Sequence, residues 1–217
     1  MPIQDPSVIT RRRTTLGHFV DAANLLTLSG LASSIAAITF ALNAEYAAAG
    51  ISLVLAIGFD NIDGPVAKRT HGRTDDDRAF GANLDTVADM VTAGVALGVV
   101  LLSYGGFGVA YYPGALVLGV AVAMRLSYFS VHGLDEASPT YTGLPADLAV
   151  LAFAATMLLD GPMPLGAFRA LLYGVAVVLA ALMVSPLRVR KLTGRWYYAL
   201  TTVAVALATA HAARILL

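Results

Sequence analysis

The sequence predicts an all-α fold, a polytopic membrane bundle of six to seven transmembrane helices with a short N-terminal interfacial segment. Composition, run length and charge placement each point there. Of 217 residues, 58% are hydrophobic and 13% charged, and the mean hydropathy is +0.73, more apolar surface than a soluble domain readily hides from water. Apolar runs near the roughly 20 residues that cross a bilayer recur from Asn24 to the C-terminus. Lys and Arg gather at alternate ends of those runs, the asymmetry that orients membrane proteins. The expected organisation is a cytoplasmic or interfacial segment over 1–21 and one transmembrane domain over 22–217.

Taken in order, the runs fall at about 22–43, 46–68, 82–104, 108–130, 146–160, 165–185 and 195–217. Arg11, Arg12 and Arg13 ahead of the first run resemble the start of a signal peptide, but Leu25 to Leu42 is longer than such a segment needs. The first run is therefore expected to be a retained span. Arg11–Arg13 with Leu16 and Phe19 suit a stretch lying along an anionic cytoplasmic leaflet. A cytoplasmic N-terminus puts every Lys and Arg except Arg169 and Arg214 at a cytoplasmic end. Tyr111, Tyr112, Trp196 and Tyr197 near run ends read as interfacial anchors. Pro139, Gly143 and Pro145 break the chain before the fifth run, the shortest, and Gly161, Pro162 and Pro164 break it after.

Several function classes drop out. A formal net charge of zero with no basic stripe argues against nucleic acid. The absence of cysteine removes disulfide and thiolate chemistry. His18, His71, His132 and His211 are scattered, without a second ligand at metal spacing, and neither a P-loop nor a nucleophilic triad can be assembled.

Four aspartates carry the chemistry. The second run ends Phe59-Asp60-Asn61-Ile62-Asp63-Gly64-Pro65-Val66-Ala67-Lys68-Arg69, and the third begins Gly81-Ala82-Asn83-Leu84-Asp85-Thr86-Val87-Ala88-Asp89. Spacings of three and four put each pair on one helical face. An antiparallel hairpin would bring the two faces together. Carboxylates at the hydrocarbon margin need a compensating charge, and a set of oxygens without sulfur or imidazole favours Mg²⁺, Mn²⁺ or Ca²⁺ over zinc. Two such ions would clamp a phosphate. Gly64, Ala67 and Gly81 lie on or near the same faces and leave a slot for a flat base or a pyrophosphate. Pro65 removes a helical donor and is expected to kink the run, freeing the Asn61 carbonyl. Asp75, Asp76 and Asp77 between the two segments read as a solvated loop.

The pattern resembles the signature of the CDP-alcohol phosphatidyltransferases, in which Asp-x-x-Asp-Gly-x-x-Ala-Arg is followed by Gly-x-x-x-Asp-x-x-x-Asp. Asp60, Asp63, Gly64, Ala67, Gly81, Asp85 and Asp89 match it. The resemblance implies that Asp60, Asp63 and Asp85 bind a pair of metal ions, Mg²⁺ or Mn²⁺, beneath the pyrophosphate of a CDP-linked lipid. Asp89 would complete the metal site or act as catalytic base on the acceptor hydroxyl. Gly64, Ala67 and Gly81 would border the nucleotide. Lys68 stands where the family has arginine, which leaves the phosphate contact to Lys68, to Arg69 or to another group. The spacer is longer than the family's common one, and the family core has six spans. A homodimer is a further implication.

Asn24-Leu25-Leu26-Thr27, Thr92-Ala93-Gly94, Arg125-Leu126-Ser127-Tyr128-Phe129 and Tyr141-Thr142-Gly143-Leu144-Pro145 look like the phosphatidylserine synthase branch, including archaetidylserine synthases. That likeness makes serine the expected acceptor, with Arg125 binding the lipid phosphate or the serine carboxylate, or anchoring the helix end at the inner surface. The expected setting is a multi-pass cell-membrane protein with its site on the cytoplasmic side. The rivals are the same chemistry on inositol phosphate, glycerol phosphate or choline, a cation transporter with an aspartate path, and an assembly protein.

Overall fold

The computed structural model describes residues 14–133, 140–190 and 195–216, the last stretch with side chains from Tyr198 onward. The expected interfacial arginines Arg11–Arg13, the break at Pro139, Lys191 and the side chains of Trp196 and Tyr197 lie outside what is described. A short helix α1 (Thr15–Phe19) leads into α2 (Ala22–Leu42), capped by the Asp21 carboxylate accepting from the Ala23 amide at 2.9 Å. Ala23, Thr27, Gly30, Ser34, Ala37 and Ala41 make a buried stripe of small residues along α2. Along that stripe α2 packs on α3 (Tyr46–Arg69). A Cβ on Gly30 would come within 3.3 Å of the Ala56 carbonyl oxygen, the close backbone approach that small residues allow in membrane helices.

The third long helix begins earlier than its apolar run. Helix α4 (Asp75–Asp89) continues through a π-helical segment, Met90–Ala96, into α5 (Leu97–Tyr104). Asp75–Asp77 is thus the first helical turn and not a loop. Thr74 and Asp77 form a reciprocal capping box, and three acidic side chains at a helix N-terminus complement its dipole. Asp77 is buried, 3.2 Å from His18, while His18 stacks on Phe80 at 4.2 Å. Arg73 ion-pairs with Asp21 at 2.9 Å. These contacts fasten α1 and the 70–74 turn to the start of α4.

A 3₁₀ turn, Val109–Tyr111, precedes α6 (Tyr112–His132). Then come β1 (Thr140–Thr142), α7 (Ala146–Met157), α8 (Leu165–Met183), β2 (Arg188–Arg190) and α9 (Arg195–Leu216). The strands pair antiparallel, Tyr141 opposite Val189, a ribbon that no alternation in the sequence announces. Helix α9 docks on α3 where Gly50 leaves room for the buried His211 ring, whose Nε2 lies 3.0 Å from the Ala154 carbonyl oxygen.

Among the described residues six helices are long and apolar enough to cross a membrane. The fifth run, expected as a span over 146–160, forms only the 12-residue α7, about 18 Å at 1.5 Å per residue. Gly143, at φ +77°, delays its start, and Gly161, at φ +96°, turns the chain after it. Its Ala149, Val150, Leu151, Phe153, Ala154 and Met157 are all buried and only Ala152 and Ala155 are exposed, so α7 packs mostly on protein and is not held to the length of a lipid-facing helix. The core around it gathers Leu53, Leu97, Leu101, Tyr104, Leu118, Phe168 and Leu172. The chain is a multi-pass membrane protein.

Candidate metal and substrate site

The α3–α4 hairpin sets the acidic faces opposite one another. Asp60, Asp85 and Asp89 each present an oxygen within 4.8 Å of the other two. All three side chains are half-buried, and no basic side chain makes an ion pair with them among the described residues. Three carboxylates this close repel one another unless a cation intervenes. The donor set, all hard oxygen, fits a divalent cation of the Mg²⁺ or Mn²⁺ kind.

Asp63 stands outside this trio. It is buried, and its Oδ2 accepts a hydrogen bond from the Thr27 hydroxyl at 2.5 Å. A narrow crevice lined by Thr27, Asp60, Asp63, Asp89 and Thr92 connects it to the others. Thr92 bonds Ser34 across to α2 at 2.6 Å, so the π-helical segment after Asp89 is pinned there. An extra residue per turn re-aims everything beyond it. Helix α3 runs unbroken through Pro65 to Arg69, and the Asn61 side chain donates to the Ile57 carbonyl at 2.9 Å.

Two cavities flank the carboxylates. One, of about 320 Å³, is lined by Asn24, Thr27, Asp63, Gly64, Ala67, Lys68, Arg73, Arg78, Gly81 and Asp85. The small residues of the motif and Lys68 thus share one chamber, whose lining does not include Arg69. Gly64 faces open space, with no atom within 4 Å of where a Cβ would stand, whereas a Cβ on Gly81 would meet the Arg73 guanidinium at 2.8 Å. Gly64 leaves room for a ligand, and Gly81 leaves room for Arg73. Arg73 and Arg78 were legible in the sequence only as positive charges of an inner loop.

The other cavity, of about 530 Å³, is lined by Asp60, Asp85, Asp89, Arg125, Phe129, Ser130, Tyr141 and Asp147, among others. Arg125 is buried and donates from Nε to the Leu144 carbonyl at 2.6 Å. Leu144 belongs to a turn strapped to the end of α8, with Gly143 N–H donating to Leu187 O at 2.7 Å and Leu144 N–H to Leu182 O at 3.0 Å. The Gly143 α-carbon packs so closely on the Met183 carbonyl that a Cβ would overlap it. Burial, and secondarily the Asp147 carboxylate, push the Tyr141 phenol above its usual range, so it stays a neutral hydrogen-bond donor near pH 7. Asp147 escaped the sequence reading. Its sole signal is a carboxylate directly after the Gly-Leu-Pro-Ala turn. A third, mostly apolar cavity of about 300 Å³ between α6 and α8 shares Arg125 with this one and opens beside Met124, Tyr128 and Met183.

A family model for CDP-alcohol phosphatidyltransferase matches residues 20–186. Archaetidylserine synthase from Methanothermobacter thermautotrophicus is 30% identical over 141 residues, 63% of this chain and 58% of that protein. CDP-diacylglycerol–serine O-phosphatidyltransferase from Helicobacter pylori is 28% identical over 172 residues, 76% of this chain and 70% of that protein. The match with the archaeal relative thus spans less than two thirds of that relative's length.

Proposed function

The chain belongs to the CDP-alcohol phosphatidyltransferase family, and from that premise we propose that it transfers the phosphatidyl or archaetidyl group of a CDP-linked lipid to the hydroxyl of serine, releasing CMP. The observation that carries this reading is the carboxylate cluster standing between two cavities of different chemistry. In the smaller cavity Gly64 and Ala67 admit the cytidine nucleotide, Gly81 borders it by leaving room for Arg73 on the wall, and Lys68 and Arg78 offset pyrophosphate charge. The larger cavity takes the acceptor, and the lipid chains leave through the apolar opening beside Met124.

Asp60, Asp63, Asp85 and Asp89 are the residues that would hold Mg²⁺ or Mn²⁺, two ions in this reading. A bound divalent cation would supply charge neutralisation to the phosphates and to the departing CMP. Asp89, on the wall of the acceptor cavity, takes the proton of the attacking hydroxyl as general base. The acceptor oxygen bonds to the lipid-side phosphorus as the anhydride bond to CMP breaks, in line.

Serine is favoured over phosphorylated acceptors because, among the described residues, Arg125 is the only basic one lining the larger cavity, opposite several carboxylates. Both relatives described above carry serine in their names. A cytoplasmic site is supported by Lys68, Arg73 and Arg78, which line the smaller cavity with Asp63 and Asp85, and by Arg125, which lines the larger one with Asp60 and Asp89, whereas Arg214 meets Asp160 and Met157 at the far end. Bilayer lipid and, by family, a second copy of the chain are the proposed partners.

Purified protein in vesicles, given CDP-diacylglycerol or its archaeal ether counterpart and a panel of serine, choline, glycerol phosphate and inositol phosphate, tests this. CMP release with serine should stop in excess chelator and return with Mg²⁺ or Mn²⁺. Metal-independent release contradicts the mechanism, a phosphorylated acceptor used in preference to serine contradicts the substrate, and cation flux without CMP marks a transporter.

A further inference from the structure

Resting on the reading above, we infer that Asp147 and Arg125 form the recognition pair for a zwitterionic amino-acid acceptor, Asp147 taking its ammonium group and Arg125 its carboxylate. Both side chains line the 530 Å³ cavity that also contains Asp89. Each lies in the other's electrostatic field, yet among the described residues they are not joined in an ion pair. Opposite charges that share a cavity without closing on each other leave an interval for a ligand carrying both charges.

The pair is also held rigidly. Arg125 Nε is committed to the Leu144 carbonyl, which fixes the guanidinium plane, and Asp147 sits in the first turn of α7, three residues further on. One strap therefore positions both groups, and Gly143, at φ +77°, anchors that strap against α8. Helices α6 and α7 thereby present one cation and one anion to the same space. Serine fits this arrangement because its ammonium and carboxylate leave one carbon, and its hydroxyl projects on the neighbouring carbon toward Asp89. A polyol lacks both charges. A phosphorylated alcohol would bring a second negative group against Asp147, which rejects it by repulsion.

The experiment uses the full chain in vesicles and three acceptors: L-serine, 3-hydroxypropanoate, which lacks the amine, and ethanolamine, which lacks the carboxylate. Wild-type protein that releases no CMP with any of them contradicts the transferase reading itself, and is examined before any variant. With a working wild type, Asp147→Asn should raise KM for serine and for ethanolamine at least about tenfold, the usual scale for losing a charged hydrogen-bond partner. It should leave KM for 3-hydroxypropanoate and for the CDP-lipid unchanged. Arg125→Gln should raise KM for serine and 3-hydroxypropanoate and spare ethanolamine. Asp147→Glu should keep the preference for amine-bearing acceptors. An Asp147→Asn protein with unchanged KM for serine, or with equal losses on acceptors with and without the amine, overturns the inference. A thermal shift on adding CDP checks that each variant is folded. If Asp147→Asn fails that check, Asp147→Glu decides, and loss of the amine preference in a CDP-binding Asp147→Glu protein overturns the inference. A rise in KM for CDP-lipid alone in Arg125→Gln would assign that guanidinium to the lipid phosphate and overturn its half of the pair.

Discussion

Both ends of the bundle bring charge into the protein, and the near end leaves one cluster of it unpaired. At the far end Asp160 accepts a hydrogen bond from Tyr104 at 3.1 Å and lies 3.8 Å from Arg214, whose other nitrogen donates to the Met157 carbonyl at 2.9 Å. One anion meets one cation there, and the ends of α5, α7 and α9 are clasped. At the near end Asp60, Asp85 and Asp89 converge, and among the described residues no basic side chain closes an ion pair with them. A closed charge pair serves folding. An open cluster of one sign is an electrostatic debt that a ligand settles, and that contrast separates structure from function in this chain.

The largest expected effect comes from breaking the open end. Asp89→Asn should lower CMP release at least about 100-fold, the low end of what a general base contributes, while the metal-free protein melts no lower than wild type because one repelling charge is gone. A loss of stability with activity kept would reverse the assignment. Smaller, and confined to the nucleotide chamber, is Gly64→Ala. The added methyl meets no protein atom and improves helix propensity, so thermal stability should hold or rise, yet KM for CDP-lipid should climb roughly tenfold, the cost of crowding an occupied space. Unchanged KM would show that no ligand lies there. The smallest effect belongs to the balanced end: Asp160→Asn should cost about 1 kcal/mol of stability, read by denaturation in detergent, with kcat intact. An activity loss there would mean that the two ends are coupled.

Much of the fold was legible because lipid imposes it. Apolar runs of fixed length report the long helices, and i, i+3 and i, i+4 spacing reports which carboxylates share a face. What escaped was set by partners distant in sequence. Helix α7 is short because its run is cut by Gly143 and Gly161 and most of its surface packs on protein, and an Ala- and Leu-rich string reads alike whether its neighbour is lipid or protein. Asp75–Asp77 looked like a solvated loop, although Thr74 three residues before Asp77 is a capping signal. What buries Asp77 is the face of His18, on another element. The separation of Asp63 from the trio follows from its hydrogen bond to Thr27 on α2, a contact that spacing within α3 does not encode. Asp147 joins the site only because the β1–β2 ribbon and the Gly143 turn fold it there. The π-helical segment has no sequence mark at all.

Divalent-ion binding in the absence of substrate tests the central claim most directly. Mn²⁺ titrated into vesicle-embedded protein and followed by electron paramagnetic resonance should be bound by wild-type chain and by Asp160→Asn, and lost or greatly weakened in Asp85→Asn. Equal binding by wild type and Asp85→Asn, or none by wild type, would contradict the account that the converged carboxylates exist to hold a metal.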